Sequence, residues 1–252
     1  MGHHTRPDVL ICDVGDTLIR WNHYSREDGL SALKPLVDHP DRFDMDRLVN
    51  TGVAQDDTIE PRAAESLLEY RQADFLRLLF ARGGMTLLCD DDHLEWHYWR
   101  GALGFEPEPG VHAALTRLQE LEVRLAIVSN TAFGPRSILG ELERHDLARF
   151  FETPVITSAR FAVRKPNPAI LDAARGLFVG PREEGWYIGN SVYHDVGGAN
   201  AAGLPVIWYN EDGESLAEVA TNGETPDHEV ASWAGVVELL ESLPARDRGD
   251  VA

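Results

Sequence analysis

A chain of 252 residues with 43% apolar content has the material for one large core, or for one domain carrying an insertion. Its 42 acidic against 23 basic side chains leave a formal net charge of -19, which argues against nucleic acid or a membrane surface as partner, since both need clustered positive charge. Cys12 and Cys89 are the only cysteines, so there is no disulfide framework and no zinc-ligand spacing.

The first predicted element is a short apolar run from Val9 to Cys12, long enough for one buried strand. It stops at Asp13, where Gly15 and Asp16 bring turn chemistry before Thr17, Leu18 and Ile19. An aromatic and polar cluster follows at Trp21, His23 and Tyr24. Ser25, with Asp28 three residues on, opens a helix that Pro40 ends. Further helices are expected over 44–53, from Pro61 in a first turn to the glycines at 83 and 84, and over 90–103. This last one carries His93, Trp96, His97, Trp99 and Arg100. Between 25 and 103 no strand pattern is visible, so the block reads as a helical bundle.

The texture changes after the stiff connector at 106–110. A helix is expected over 111–121 and a strand over 124–128, ended by Ser129 and Asn130. Then come helix 135–147, strand 154–157, helix 168–178, strand 186–188, helix 195–202, strand 205–209 and helix 232–243. Such alternation predicts an α/β fold, a Rossmann-like parallel sheet covered on both faces. The inserted helical bundle is assigned to 21–105, and the core to 1–20 with 106–252. The polar start at Met1 to Pro7 lacks the apolar centre of a signal peptide, and no run is long enough to span a bilayer. A soluble cytoplasmic protein is expected, a monomer or homodimer, with a frayed charged tail beyond Pro244 and too few histidines at His3 and His4 for a metal tract.

Four predicted strand ends carry polar residues: Asp13 with Asp16 and Thr17, Ser129 with Asn130, Lys165, and Asn190 with Asp195. Open α/β sheets place ligands just outside the carboxyl ends of their strands. Each residue alone has a plainer role as a turn, cap or solvated residue. Lys165 stands out because Lys34 is the only other lysine in the chain.

In that order, these residues resemble the haloacid dehalogenase superfamily with a helical cap inserted after its first motif. Asp13 and Thr17 match the first motif, Ser129 ends the second, Lys165, Pro166 and Pro168 form the third, and Gly189 and Asp195 frame the fourth. The resemblance implies that Asp13 is a nucleophile forming an aspartyl intermediate. It makes Ser129 and Lys165 donors to the transferred group, and Thr17 the residue that orders the loop. It implies a magnesium ion held by Asp13, the carbonyl of Gly15, Asn190 and Asp195.

Two positions depart from the family pattern. Gly15 stands where its phosphatases carry an acid–base Asp, and Asn190 stands where a metal-binding Asp is usual. Asp16 is offset by one residue and is expected to point away. The implied reading is a magnesium-dependent phosphatase or phosphotransferase on a small phosphorylated metabolite, slowed by Gly15. The alternatives are a metal-independent 2-haloacid dehalogenase-type hydrolase and a non-catalytic ligand- or partner-binding protein. Substrate contacts are expected from Asn130, from Trp21 and His23 at the hinge, and from Arg100 on the last cap helix.

Overall fold

A computed structural model describes residues 5–245; His3, His4 and most of the tail beyond Pro244 lie outside them. The first strand, β1 (Val9–Cys12), is buried along its whole length. A strand apolar at every position must be covered on both faces, which is the setting of a parallel sheet. Next come β2 (Ile19–Tyr24) and four helices, α1 (Arg26–Leu33), α2 (Met45–Ser66), α3 (Gln72–Arg82) and α4 (Asp91–Ala102), and then β3 (Leu103–Pro107). The second half alternates α5 (Val111–Glu120), β4 (Arg124–Ser129), α6 (Pro135–Arg144), β5 (Ile156–Thr157), α7 (Ser158–Phe161) and α8 (Pro168–Phe178). It continues through β6 (Gly185–Gly189), α9 (Gly197–Ala202), β7 (Val206–Tyr209), α10 (Leu216–Val219), β8 (His228–Val230) and α11 (Trp233–Ser242).

Six strands form one sheet in the order β5-β4-β1-β6-β7-β8, and every pairing in it is parallel. β1 therefore lies in the middle, with Cys12 opposite Ile127 on one side and Ile188 on the other. That register brings the ends of β1, β4 and β6 level, so Asp13, Ser129 and Asn190 emerge from one edge. Among the described residues no helix is long and apolar enough to cross a membrane.

The chain leaves and re-enters the core through an antiparallel ribbon of β2 and β3. The proposed boundaries at 21 and 105 fall inside this ribbon, which the alternation-free reading of 25–103 bracketed without detecting. A second difference concerns Pro61. It starts no helix but lies inside the 22-residue α2. Proline there removes the amide that would bond the carbonyl four residues earlier. Asp57 is exposed, so water can take that bond instead. The chain turns only at Leu67, whose φ of 56° ends the helix in a left-handed conformation.

β8, α7 and α10 have no counterpart in the expected elements, being three or four residues long. Asp195 does not begin a helix either. It lies in a π-helical turn, Val192–Val196, that leads into α9.

Opposite the ribbon, the helical insertion is stitched to the core by backbone bonds. Gln72 N donates to Ala132 O at 2.8 Å and Arg164 N to Leu67 O at 3.0 Å. Glu95 on α4 is buried and joins the two parts with one side chain. Its Oε1 accepts from Ala73 N at 2.9 Å and its Oε2 from Gly134 N at 2.6 Å. Because a carboxamide cannot accept on both sides, Glu95→Gln is expected to leave one buried amide unpaired. A loss of about 1–3 kcal/mol in urea unfolding is expected, and an unchanged midpoint would show that this stitch is dispensable.

Candidate active site

A cleft of about 290 Å³ opens over the carboxyl ends of the central strands. Asp13, Gly15, Ser129, Asn130, Lys165, Asn190 and Asp195 all line it. The strand ends named from the sequence are thus brought together. At the floor, the Lys165 ammonium is fully buried. It donates to Asp13 Oδ1 at 2.7 Å, to Asp195 Oδ1 at 2.5 Å and to the Tyr187 hydroxyl at 2.7 Å. An ammonium has three donors, and all three are used.

Each partner in this network is held in turn. The Asn130 side chain clamps the Lys165 backbone, its Oδ1 accepting from Lys165 N at 2.8 Å and its Nδ2 donating to Lys165 O at 3.0 Å. The Asn130 amide therefore positions the lysine, while the residue also lines the cleft. Tyr187, in the middle of β6, donates to Asp195 Oδ1 at 3.0 Å, and Asp195 Oδ2 accepts from Ser191 N at 2.9 Å. Gly189 makes this approach possible, because a Cβ there would stand 2.3 Å from Asp195 Cγ.

Burial pushes the Asp13 carboxyl up to about 6, against the pull of Lys165 and with the push of Asp195. For Lys165, burial works against the charge, but Asp13 and Asp195 outweigh it and the ammonium is held charged. The buried Tyr187 phenol is pushed up by burial and by both carboxylates, so it stays a proton donor. Cys12, just before Asp13, is pushed up by burial and is an inert thiol.

Several expected residues lie elsewhere. Arg100 lines a separate hollow with Ala32, Trp96, His97 and Gly101, its guanidinium over the Trp96 ring. It follows Trp99 by one residue, about a quarter turn of helix, so Trp99 faces inward and Arg100 faces solvent. His23 does not line the cleft either; its side chain is 58% exposed and lies 3.8 Å from Asp28. Trp21 does line it. A register shift between Trp21 and His23 breaks the two-residue alternation that would have put both on one face. Thr17 is buried beneath the cleft, its hydroxyl without a partner among the described residues. It acts through the backbone, where Val14 O gathers Thr17 N, Leu18 N and Ile19 N.

Asp16 takes no part in the cleft. It has a φ of 52°, is exposed and lines a neighbouring acidic hollow with Arg20, Glu108 and Glu211. The expected turn away from the site is therefore seen. A Cβ on Gly15 would meet only the Trp21 indole nitrogen, at 3.7 Å. An indole N–H thus lies where the side chain of residue 15 would project.

The remaining wall was not foreseen. Trp99, Leu103, Phe105, Phe133 and Ile138 form an apolar side, and Arg164, Ser191 and His194 a polar rim. Trp99 is buried and bonded to Glu141 through its Nε1 at 2.9 Å, and it also reaches the cleft. Tyr187 carried a sequence signal, a phenol in a strand buried on both faces, which must find a partner. Burial lowers the His194 imidazole, so it is neutral.

Residues 97–209 match the family model described as haloacid dehalogenase-like hydrolase. The chain is 35% identical over 140 residues to a glyceraldehyde 3-phosphate phosphatase of Methanopyrus kandleri, covering 55% of this chain and 58% of that protein. It is 29% identical over 177 residues to haloacetate dehalogenase H-2 of a Moraxella species, covering 69% and 74%. The chain spans about half the length of the curated phosphatases it matches. A crystallographic 2-haloacid dehalogenase from Pseudomonas syringae superposes with a TM-score of 0.62 at 19% identity, over 93% of this chain and 98% of that one, a likeness of fold.

The Asp13 carboxyl, in metal-free protein, is expected to titrate near pH 6 rather than near the 3.8 of a free side chain, followed by carbon-detected NMR. A midpoint at the ordinary value would mean that water reaches the carboxyl freely.

Proposed function

The chain belongs to the haloacid dehalogenase-like hydrolases, and on that premise we propose that it is a phosphatase acting through Asp13 on a small phosphorylated metabolite. The observation that carries this reading is the buried pair of Asp13 and Lys165, 2.7 Å apart at the floor of a cleft that Ser129 also lines. In a chain of net charge -19, a phosphate needs a fixed cation at the point of reaction, and Lys165 supplies one.

Asp13 attacks phosphorus, the ester bond breaks, and water then releases phosphate from the aspartyl intermediate. Ser129 donates to the phosphoryl oxygens, and Lys165 turns toward them the proton it now gives Asp13 as Asp13 bonds to phosphorus, offsetting the charge that shifts onto them. Lys165 can do this because Asp195 and Tyr187 fix its position from behind. Thr17 and the Val14 carbonyl keep the loop in place, and the helical segment, as a cap, closes the cleft to water.

Magnesium takes oxygen donors and keeps several waters. The residues here fit it in kind: Asp13, the Gly15 carbonyl and the Asn190 amide offer oxygens, and the Asn190 side chain makes no hydrogen bond among the described residues. Asp195 already accepts three hydrogen bonds, and only its Oδ2, which accepts one of them from Ser191 N, keeps an acceptor position to offer. Among the described residues no group of three or more His, Cys, Asp or Glu gathers for a metal, so weak retention is expected. When bound, the ion would offset the repulsion between Asp13 and the incoming phosphate.

A second reading is metal-free displacement of halide from carbon by Asp13. The apolar wall and the absence of a side chain at Gly15 favour it, since halide needs no proton to leave.

The test is phosphate release from a generic aryl phosphate, with magnesium and with a chelator. Slow turnover is expected from the wild type, loss of it in Asp13→Asn, and a gain toward the 10²–10⁴-fold usual for general acid–base catalysis in Gly15→Asp. A Cβ at Gly15 would meet only the Trp21 indole nitrogen, at an ordinary contact distance of 3.7 Å, and the exposed Trp21 side chain has room to move aside, so that substitution is sterically allowed. Halide release from a 2-haloacid under chelation, without phosphate release, would replace this reading by the second.

A further inference from the structure

Two features of the cleft bear on what may leave from it. The first is the wall that faces the Asp13 and Lys165 floor. Trp21 and Phe105 lie with ring centroids 4.9 Å apart, Trp99 stacks on Phe105 at 5.2 Å, and Phe133 meets Trp99 edge-on at 4.9 Å. Leu103 and Ile138 fill the gaps. A polyhydroxylated chain placed there would leave hydroxyls without partners, which a binding site penalises strongly. A flat apolar ring would find offset and edge-on neighbours.

The second feature is the missing proton donor. Among the described residues Asp13 and Asp195 are the only carboxylates lining the cleft. Asp13 is the nucleophile, and Asp195 is engaged with Lys165, Tyr187 and Ser191. Where a side chain of residue 15 would project stands the Trp21 indole N–H, which can hydrogen-bond a departing oxygen but cannot give up its proton. The His194 ring is held through its Nδ1 against Ser191 Oγ at 3.2 Å, away from the place of residue 15. The leaving oxygen must therefore depart as an anion. A phenol ionises near pKa 10, whereas water, a stand-in for an alkyl alcohol, is a far weaker acid and hydroxide a far poorer leaving group.

We propose that the site is built for aryl phosphate monoesters, the ring lying against the Trp21, Phe105 and Phe133 wall and the phenolate leaving without protonation. This rests on the phosphatase reading above and narrows it. An Asp13 oxygen forms a bond to phosphorus, and the phosphorus–oxygen bond to the ring breaks with its electron pair on the phenolate. Water then attacks phosphorus, the bond to Asp13 breaks to restore the carboxylate, and the proton of that water passes to solvent. The products are phenolate, which solvent protonates according to pH, and inorganic phosphate. Trp21 is the positioning residue, its N–H directed at the departing oxygen.

The experiment measures kcat/KM by phosphate release for substituted phenyl phosphates of graded phenol acidity, and for glycerol phosphate and methyl phosphate. Expected are a preference for phenyl over alkyl esters of at least 100-fold beyond that of an unassisted reaction, and a steep fall of kcat as the phenol becomes less acidic. Gly15→Asp should flatten that slope, and Phe133→Ala should raise KM for phenyl esters several-fold more than KM for methyl phosphate. Quenching of tryptophan fluorescence by phenylphosphonate, and not by methylphosphonate, should show the ring against the wall in wild-type protein without any variant. Equal efficiency on alkyl and phenyl esters, with phosphate released and a labelled Asp13 trapped, would overturn this inference alone. No phosphate release from any ester and no labelled Asp13 would overturn the phosphatase reading and this one with it.

Discussion

The site depends on one buried ammonium. Asp13 reaches this point from the end of β1 and Asp195 from the π-helical turn after β6, and neither is exposed enough for water to carry its charge. Two such carboxylates would repel each other and stay protonated without a cation between them. Lys165 lies there, bonded to both and to Tyr187. Removing one member of a buried network of this kind is costly because the others are left charged and unpaired. Hence the surrounding structure holds the lysine with care: the Asn130 side chain grips its backbone from two sides, and Gly189 leaves room for Asp195 to reach it.

The same arrangement bears on chemistry. A lysine with all three protons committed is a fixed charge, preorganised rather than recruited when substrate arrives. It also takes up coordination that a metal ion would otherwise claim from Asp13 and Asp195. Balance between these two cations for the same oxygens separates the two readings of the reaction, and the uncharged Asn190 tilts it toward the lysine.

The cleft is completed by the insertion and the core together. Trp99 comes from α4, Trp21 and Phe105 from the ribbon, and Phe133 from the loop after β4. These rings pack on one another before any ligand is present, so ring packing, the backbone stitches at Leu67 and Gln72 and the Glu95 carboxylate together hold the insertion to the core. One continuous apolar cluster runs from Leu10 and Cys12 in the sheet to Leu94 and Tyr98 in the insertion, which ties the substrate-facing wall to the stability of the whole.

The amino-acid sequence alone determined the alternating core, the helical insertion and the strand-end polar residues, because period and turn chemistry are local and each buried parallel strand writes itself as an apolar run. It also placed Asp16 out of the way, since a one-residue offset reverses a side chain. It misplaced the helix start at Pro61 because the tolerance of a proline depends on whether the freed carbonyl can reach water. It set His23 and Arg100 at the site because a bulge in β2 and the rotation of α4 are not local properties. Tertiary structure alone decided that Lys165 meets Asp13 and Asp195 at hydrogen-bonding distance, that Asn130 serves the lysine backbone, and that the Trp21 indole stands where Gly15 lacks a side chain. The lysine contacts join residues thirty or more positions apart, and the approach of Trp21 to Gly15 depends on how β2 leaves the loop, so all of them exist only once register, twist and packing have brought the strand ends level.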